Sequence, residues 1–474
     1  MTAVSHESES NGRRNTPFSR MRELWGWLQS RSRKAEPAAL SQDQMRLAHA
    51  TFQECLDRIG GEASARHRVE AIAALYGGLN DEGRRDLLRM LVSEFSVDDE
   101  RVAAAVRAYL DASGAARREA QTSLRQTLSS PRMTILKQFN LLPEGVKFLV
   151  DLRADVLRYQ RANPELAILD DELYGLLGSW FDLGNLELRR LSWNSPASLL
   201  EKLIAYEAVH EIRSWGDLRK RMGADRRCYA FFHPRMPDEP LVFVEVALVQ
   251  EMASSVQVLL DESTPATDPR HATAAIFYSI SSTQNGLRGV SFGGFLIKRV
   301  AEQLVADFPR LRTFATLSPI PGFRKWLEKR LHDREADLFS ACDPKALTEF
   351  AGSNNPHDVL SAALTLDFAA DDLLAVRLEP ILTTLCARYL AQEMDDDTPR
   401  PVDPVARFHL GNGAQLERIN WLADRSTRGL KQSAGLMVNY LYRLDDIEGN
   451  HEAYEREGKI VMSRGVKKLL KTKD

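Results

Sequence analysis

Three stretches of this chain place reactive or ligand-holding residue types where a fold would present them. The first is Arg288-Gly289-Val290-Ser291-Phe292-Gly293-Gly294, a glycine-rich turn between the apolar run 274–280 and helical periodicity at Phe295, Ile297, Val300 and Leu304. Glycine lets the backbone come close to a ligand, and the free N–H groups and dipole of a helix start favour phosphate, so the chemistry implied is anion binding. The turn lacks the Lys-Ser/Thr pair of a Walker loop and the regular glycine spacing of a dinucleotide turn, and turn geometry alone would also account for it. The second stretch is Ser318-Pro319-Ile320-Pro321-Gly322, directly after the apolar run 313–317. Two prolines and a glycine would fix the Ser318 hydroxyl at a sheet's ligand-binding edge, unless that serine merely caps a following helix. The third is His409, whose residue type changes charge near neutral pH; taken by itself it fits a hydrogen-bonded structural histidine equally well. His233, in a His-Pro pair, fits a turn histidine bonded to backbone.

The elements that must carry these residues follow from pattern. Run 274–280, the glycine turn, the helix and run 313–317 read as strand, turn, helix and strand, a right-handed crossover with parallel strands. Runs 228–232 and 241–249 read as an antiparallel pair, joined by a loop whose prolines Pro234, Pro237 and Pro240 exclude regular pairing. A mixed sheet results. Residues 41–185 are helical almost throughout: Met45, Ala48, Phe52, Cys55 and Ile59 share one face, as do Val146, Leu149, Arg153 and Val156, with Arg153 lending its aliphatic stem. No chemical cluster stands out there, since His49 and His67 have no partner in sequence, and the bundle reads as structural or self-associating. Ser195 is expected to cap a helix over 197–209, with Pro196 at its first position. Residues 349–397 read as helical, ending in a solvated acidic stretch from Glu393 to Asp397, after which Pro399, Pro401 and Pro404 stiffen the approach to His409. The organisation expected is a tail over 1–40, a helical domain over 41–187 and a catalytic domain over 188–474.

A chain of 474 residues suggests two or three domains. Hydrophobic residues at 44%, charged residues at 27% and a net charge of -3 give no signal for nucleic acid, so an anionic ligand must be met by local groups. Cys55, Cys228, Cys342 and Cys386 lie far apart without zinc-ligand or disulfide spacing, which points to a reducing compartment. The longest apolar run, 241–249, is broken by Glu245 and is too short to cross a membrane. In the first forty residues Arg13, Arg14, Arg20, Arg22, Arg31 and Arg33 imitate an organellar presequence, but Glu7, Glu9 and Glu23 oppose it; a mobile tail and a cytoplasmic location are expected. The C-terminal Lys-Thr-Lys-Asp differs from the Ser-Lys-Leu peroxisomal address.

Longer strings carry a resemblance. Arg288-x-x-x-x-Gly293-Gly294 is similar to the pyrophosphate loop of GNAT-type acetyltransferases, which binds coenzyme A. The segments HPRMPDEPLVFVEVALV from His233, FYSISSTQNGLRGVSFGGFLIKRV from Phe277, FATLSPIPGFRKWL from Phe314 and HLGNGAQLERINWLADRSTRGLKQSAGLMVNYLYRL from His409 resemble malonyl-CoA decarboxylases, in family order. The resemblance implies an α+β multidomain protein, with an N-terminal all-α helical bundle ahead of a GNAT-like mixed α/β acyl-CoA-binding catalytic domain, and assembly into a homo-oligomer, a tetramer. It implies a carboxy-lyase converting malonyl-CoA to acetyl-CoA and carbon dioxide, with Ser318 and His409 at the two catalytic positions and Ser279 and Tyr442 lining the acyl pocket. Coenzyme A would lie along Arg288 to Gly294. Some members of that family carry Glu where this chain has Ser291, so a carboxylate role there is absent or moved. A malonyl thioester is a β-keto-acid analogue whose own carbonyl accepts the electrons released with carbon dioxide, so no metal, biotin or pyridoxal is expected. The protein must stabilise the enolate oxygen and protonate the carbon. His409 fits the donor; Ser318 fits a proton acceptor, or a group orienting the carboxylate or the thioester. An acyl-CoA-dependent acyltransferase and a non-catalytic acyl-CoA-binding regulator are the alternatives.

Overall fold

Ser41 opens the first helix with a capping box: its hydroxyl accepts from the Gln44 N–H while the Gln44 side chain accepts from the Ser41 N–H. From there, in a computed structural model, the described residues are 38–57, 61–290, 296–351, 354–396 and 398–471. Almost all of the expected 1–40 tail lies outside them, as do Ile59, Phe295 and Asp397. Contacts divide the chain into two units, Met1–Trp180 with Gln284–Val290, and Phe181–Thr283 with Ser291–Asp474.

The first unit is helical. Among its described residues are α1 (Gln42–Leu56), α2 (Glu62–Gly77), α3 (Asp81–Glu94), α4 (Asp99–Asp111), α5 (Gly114–Thr127), α6 (Pro131–Gln138), α7 (Gly145–Tyr159) and α8 (Ala167–Trp180). The apolar stripes point inward as their spacing requires, burying Ala48, Phe52 and Cys55 on α1 and Val146, Leu149 and Val156 on α7. Three arginines, Arg68, Arg132 and Arg153, are buried whole, not by their stems alone. Arg132 of α6 is 1% exposed; its Nε and Nη2 donate to Glu172 at 3.0 Å each, and Nη1 donates to the Val92 carbonyl at 2.8 Å. Arg153 of α7 is similarly enclosed. By contrast α4 and α5 bury no residue, and Val106 and Leu110 stand exposed.

The second unit is built on an eight-stranded mixed sheet: β1 (Glu187–Leu191), β2 (Arg226–His233), β3 (Met236–Val249), β4 (Ala274–Ser282), β5 (Thr313–Thr316), β6 (Ser318–Pro319), β7 (Gln415–Asn420) and β8 (Met437–Tyr442). The order is β1-β2-β3-β4-β5-β8-β6, with β7 pairing on β8; β4 and β5 are parallel and the remaining pairs antiparallel. Helices α9 (Ala197–Tyr206) and α10 (Trp215–Arg221) bury Leu200, Leu203 and Leu218 against Cys228, Ala230 and Phe243. The charge inside run 241–249 is paired: Glu245 is fully buried and accepts from Arg221 at 2.8 Å, with burial pushing its carboxyl up to about 8.

Three expectations change. The β2–β3 connection is a tight turn at Pro234 and Arg235, and not a long rigid loop, because register shifts at Phe231/Phe232 and Phe232/His233 take Pro237 and Pro240 into the strand without demanding ladder donors from them. There the His233 Nδ1 accepts from the Arg235 N–H, as a turn histidine does. Ser195 does not cap α9, since its hydroxyl accepts from the Ser192 N–H; Pro196 holds the cap position, and the helix stops at Tyr206 because the Glu207 carboxylate accepts from the N–H groups of Val209 and His210. Glu393 is not solvated: Arg330 and Arg388 donate to it at 2.7 and 3.2 Å.

The enclosed Arg132–Glu172 pair sets a stability test. Arg132→Met is expected to destabilise the helical unit by about 3–5 kcal/mol because it strands the Glu172 carboxylate, while Arg132→Met with Glu172→Leu recovers most of that loss. Denaturant unfolding of the two variants reads the difference, and equal losses would show that the pair does not act as a pair.

Candidate active site

Thr316 and Ser318 are two residues apart on one extended segment, so their side chains share a face. Beside them runs β8, in register with Phe314 opposite Tyr442 and Ser318 opposite Val438, so Tyr440 and Tyr442 present the same face. Asn439 holds the strands together from the other face: its amide donates to the Thr316 carbonyl at 2.7 Å and to the Ala253 carbonyl at 3.1 Å. A short helix, α11 (Pro404–Gly411), starts at Asp403, whose carboxylate accepts from the N–H groups of Val405 and Ala406. That cap, with Pro404 at the first helical position, fixes the helix that brings His409 to the strands.

The result is one hydrogen-bonded row. Ser318 Oγ lies 3.0 Å from His409 Nε2, across 91 positions of sequence, and His409 Nδ1 lies 2.8 Å from the Tyr442 hydroxyl. Ser318 donates to Thr316 Oγ1 at 2.8 Å, and that oxygen also accepts from the Tyr440 N–H at 3.1 Å. With the serine proton given to Thr316, the proton of the Ser318–His409 contact comes from the ring, so Nε2 carries hydrogen and Nδ1 accepts from Tyr442. Tyr440 stacks on the imidazole with centroids 4.6 Å apart. His409 and Ser318 are 3% and 5% exposed.

Burial, the sole cause acting on this ring, pushes His409 down to about 3, and the Tyr442 and Tyr440 hydroxyls are held well above their ordinary values for the same reason. His409 is therefore a neutral imidazole at physiological pH, and not the group titrating near neutrality that its residue type suggests. Asp403, also buried, is pushed up to about 6. Around the row, the parallel pairing of β4 with β5 runs from Ala274 opposite Thr313 to Phe277 opposite Thr316, then ends with the Leu317 N–H on the Phe277 carbonyl. Beyond this point the pairing of β4 with β5 does not continue.

Of the residues expected at the site, Ser318, His409 and Tyr442 come together directly. Ser279 does not join them. An irregularity in the β3–β4 register pairs Glu245 with Ser279 but Val246 with Phe277, which turns Ser279 toward the Glu245 side. Its hydroxyl lies 2.8 Å from both oxygens of Glu207, and Ser281 donates to the same carboxylate at 3.3 Å. Arg288, Gly289 and Val290 belong to the helical unit, with Gly289 at φ +82°. Ser291, Phe292, Gly293 and Gly294 lie outside the described residues. Thr316, Tyr440 and Glu207 escape the sequence reading; for the first two, the period-two spacing to Ser318 and Tyr442 was the available signal. Among the described residues no group of three or more His, Cys, Asp or Glu could hold a metal ion.

The His409 ring is expected to stay neutral in the folded protein from about pH 8 to about pH 5. Its folded pKa lies below the ordinary value, so the stability it contributes is complete above about 6.5 and is lost as pH falls toward about 3. Labelled-imidazole NMR across that range reads the ring directly, and a midpoint near 6.5 would overturn the neutral row. Tyr442→Phe, which takes the donor from Nδ1, is expected to cost about 1–3 kcal/mol in unfolding free energy.

Two family models match the chain: the malonyl-CoA decarboxylase N-terminal domain over residues 95–181 and the malonyl-CoA decarboxylase C-terminal domain over residues 184–474. Mitochondrial malonyl-CoA decarboxylase of Rattus norvegicus is 37% identical over 426 residues, and that of Mus musculus is 38% identical over 427; each match covers 86% of this chain and 86% of the relative. Among solved structures, malonyl-CoA decarboxylase from Rhodopseudomonas palustris superposes with TM-score 0.81 at 41% identity, covering 90% of this chain and 99% of that one. The enzyme from Agrobacterium vitis gives 0.80 at 41% identity, covering 90% and 100%. By sequence over most of its length, and by a helical region followed by a mixed α/β sheet, this chain belongs to the malonyl-CoA decarboxylase family.

Proposed function

We propose that this chain is a carboxy-lyase that converts malonyl-CoA to acetyl-CoA and carbon dioxide, with Ser318 and His409 as its catalytic pair. Beside family membership, the observation that supports the residue assignment is the 3.0 Å approach of two side chains so distant in sequence, in a buried row. The carbon–carbon bond to the carboxylate breaks, carbon dioxide leaves, and the electron pair moves onto the thioester carbonyl as an enolate. That enolate is a much stronger base than imidazole, so a neutral ring N–H or a serine O–H is acid enough to serve it. One of the pair hydrogen-bonds the enolate oxygen while the other supplies the proton to carbon, and Tyr442 stands behind Nδ1 to keep the ring's tautomer. A neutral imidazole in this electrophilic part is established enzyme chemistry.

The acyl group would lie where the pairing of β4 with β5 ends after Phe277 and Thr316, which is also the feature that favours a GNAT-like reading of this sheet. The coenzyme A phosphates would lie on the turn beginning at Arg288. The chemistry needs no metal, biotin or pyridoxal, because the thioester carbonyl is the electron sink. Self-association to a homo-oligomer, a tetramer, is supported by the bare α4 and α5 helices, which bury no residue of their own. A cytoplasmic location is supported by the four cysteines, all buried and free as in a reducing compartment; no helix of the described residues is long and apolar enough to cross a membrane.

Purified protein is expected to release carbon dioxide from malonyl-CoA in the presence of EDTA. Ser318→Ala and His409→Ala should each lower kcat by about 10²–10⁴ with little change in coenzyme A affinity, and the double variant should be scarcely slower than the poorer single one. A His409→Ala protein with near-normal turnover would sink the residue assignment. Activity that EDTA abolishes and a divalent ion restores would sink the cofactor-free chemistry, and turnover only with an added acyl acceptor would favour the transferase reading.

A further inference from the structure

The helical unit contains a buried cation that the chemistry above does not use. Arg153, in the middle of α7, is 3% exposed. Its Nε donates to Asp170 at 2.7 Å, and its Nη1 donates to two main-chain carbonyls outside its own helix, those of Gly286 at 2.8 Å and Arg288 at 2.9 Å. Both lie in Gln284–Val290, the segment that follows β4 yet belongs by contact to the helical unit. Tyr174 of α8, under the Arg153 guanidinium, donates to a third carbonyl, that of Gly289, at 3.4 Å. The approach of α7 to this segment is close enough that a Cβ on Gly286 would sit 1.7 Å from the Val150 carbonyl oxygen, so glycine is required there.

This grip has a directional consequence. In a trans peptide the C=O and the following N–H point opposite ways. Arg153 holds the Arg288 carbonyl inward, so the N–H of the same peptide, on Gly289, points outward, where no described residue accepts from it. Both Arg288 and Gly289 are exposed, and Gly289 has the left-handed φ of +82° that the turn needs. An outward main-chain donor beside an exposed guanidinium is a pair suited to a phosphate oxygen.

We infer that Arg153 is the positioning residue of the phosphate turn: by fixing the carbonyls of Gly286 and Arg288 it aims the Gly289 N–H and the Arg288 side chain at the coenzyme A phosphates. The inference rests on the reading that the turn binds those phosphates. Arg153 touches no substrate, and its effect belongs in affinity for phosphate-bearing substrate, not in the bond-breaking step.

The test compares two substrates, malonyl-CoA and malonyl-pantetheine, which carries the same thioester arm without the phosphates. Wild type should prefer malonyl-CoA in kcat/KM. In Arg153→Ala the ratio of the two kcat/KM values should fall by about tenfold or more, expressed as a raised KM for malonyl-CoA with saturated kcat changed by less than about threefold. Should Arg153→Ala fail to fold, Arg153→Lys keeps the charge but cannot span two carbonyls and Asp170 with one ammonium, and it should lower the same ratio by a smaller factor. A variant in which both substrates lose kcat/KM in parallel, leaving the ratio unchanged, overturns the inference, because a merely structural arginine would act that way. A wild-type ratio near one means that the turn does not bind the phosphates at all, which overturns the underlying reading and this inference together.

Discussion

Exclusion of water from His409 is the constraint on which the hydrogen-bonded row of Ser318, His409 and Tyr442 depends. A buried imidazole with no charged neighbour cannot hold a second proton cheaply, so it must be neutral, and a neutral imidazole has one donor and one acceptor to satisfy. Each neighbour then follows. Tyr442 supplies a donor to Nδ1, Ser318 takes the Nε2 proton, Thr316 takes the serine proton, and Tyr440 covers the ring face. Every one of these groups stands on β5, β6, β8 or the helix capped by Asp403, and Asn439 ties β8 to the Thr316 carbonyl from behind. The sheet's local geometry can thus be read as the scaffold of a single neutral chain of hydrogen bonds.

Neutrality also agrees with the demands of the reaction. At the proposed catalytic position, a permanently charged imidazolium would bind the substrate carboxylate more firmly before bond breaking than in the transition state, where that group is losing its charge, which lowers KM and raises the barrier to the step itself. A neutral N–H responds to charge that develops on the thioester oxygen or on carbon, and in a site with little water that response is strengthened. The cost is borne by folding: Asp403, enclosed at the head of the helix, has its carboxyl pushed up to about 6, so ionising it at neutral pH opposes the folded state while its two N–H bonds offset part of that cost.

Much of this is legible in the sequence. The parallel pair, Ser318 at the end of its second strand, and the all-helical start followed from periodicity and punctuation, because local pattern encodes them. The pairing of Ser318 with His409 did not follow from the residues alone, since 91 positions separate them and only the resemblance joined them. Arg153 reads through its stem as part of an apolar stripe; besides Asp170, its guanidinium is held by main-chain carbonyls more than a hundred positions away, which no side-chain pattern records. The ionisation of His409 is illegible for a related reason: residue type gives an ordinary pKa, whereas burial, a property of the whole fold, pushes it down. Glu393 looks like part of a solvated acidic run, yet it is drawn into ion pairs by Arg388, five positions before it, and by Arg330, 63 positions away, and only the second of these is beyond local pattern.

Ser279 shows how a single register irregularity limits chemistry. Had β4 continued regularly beside β3, Ser279 would share the face of Phe277; the extra residue at Tyr278 turns it to the side of Glu245, where Glu207 waits. Glu207 is held rigidly by the N–H groups of Val209 and His210, so its carboxylate is a fixed acceptor and the Ser279 proton is committed to it. A serine so committed offers lone pairs only. The Ser318 row and the Ser279–Glu207 pair are therefore chemically unlike: one is a chain of neutral groups closed on an imidazole, the other a serine turned away from that chain and held by a rigid acceptor.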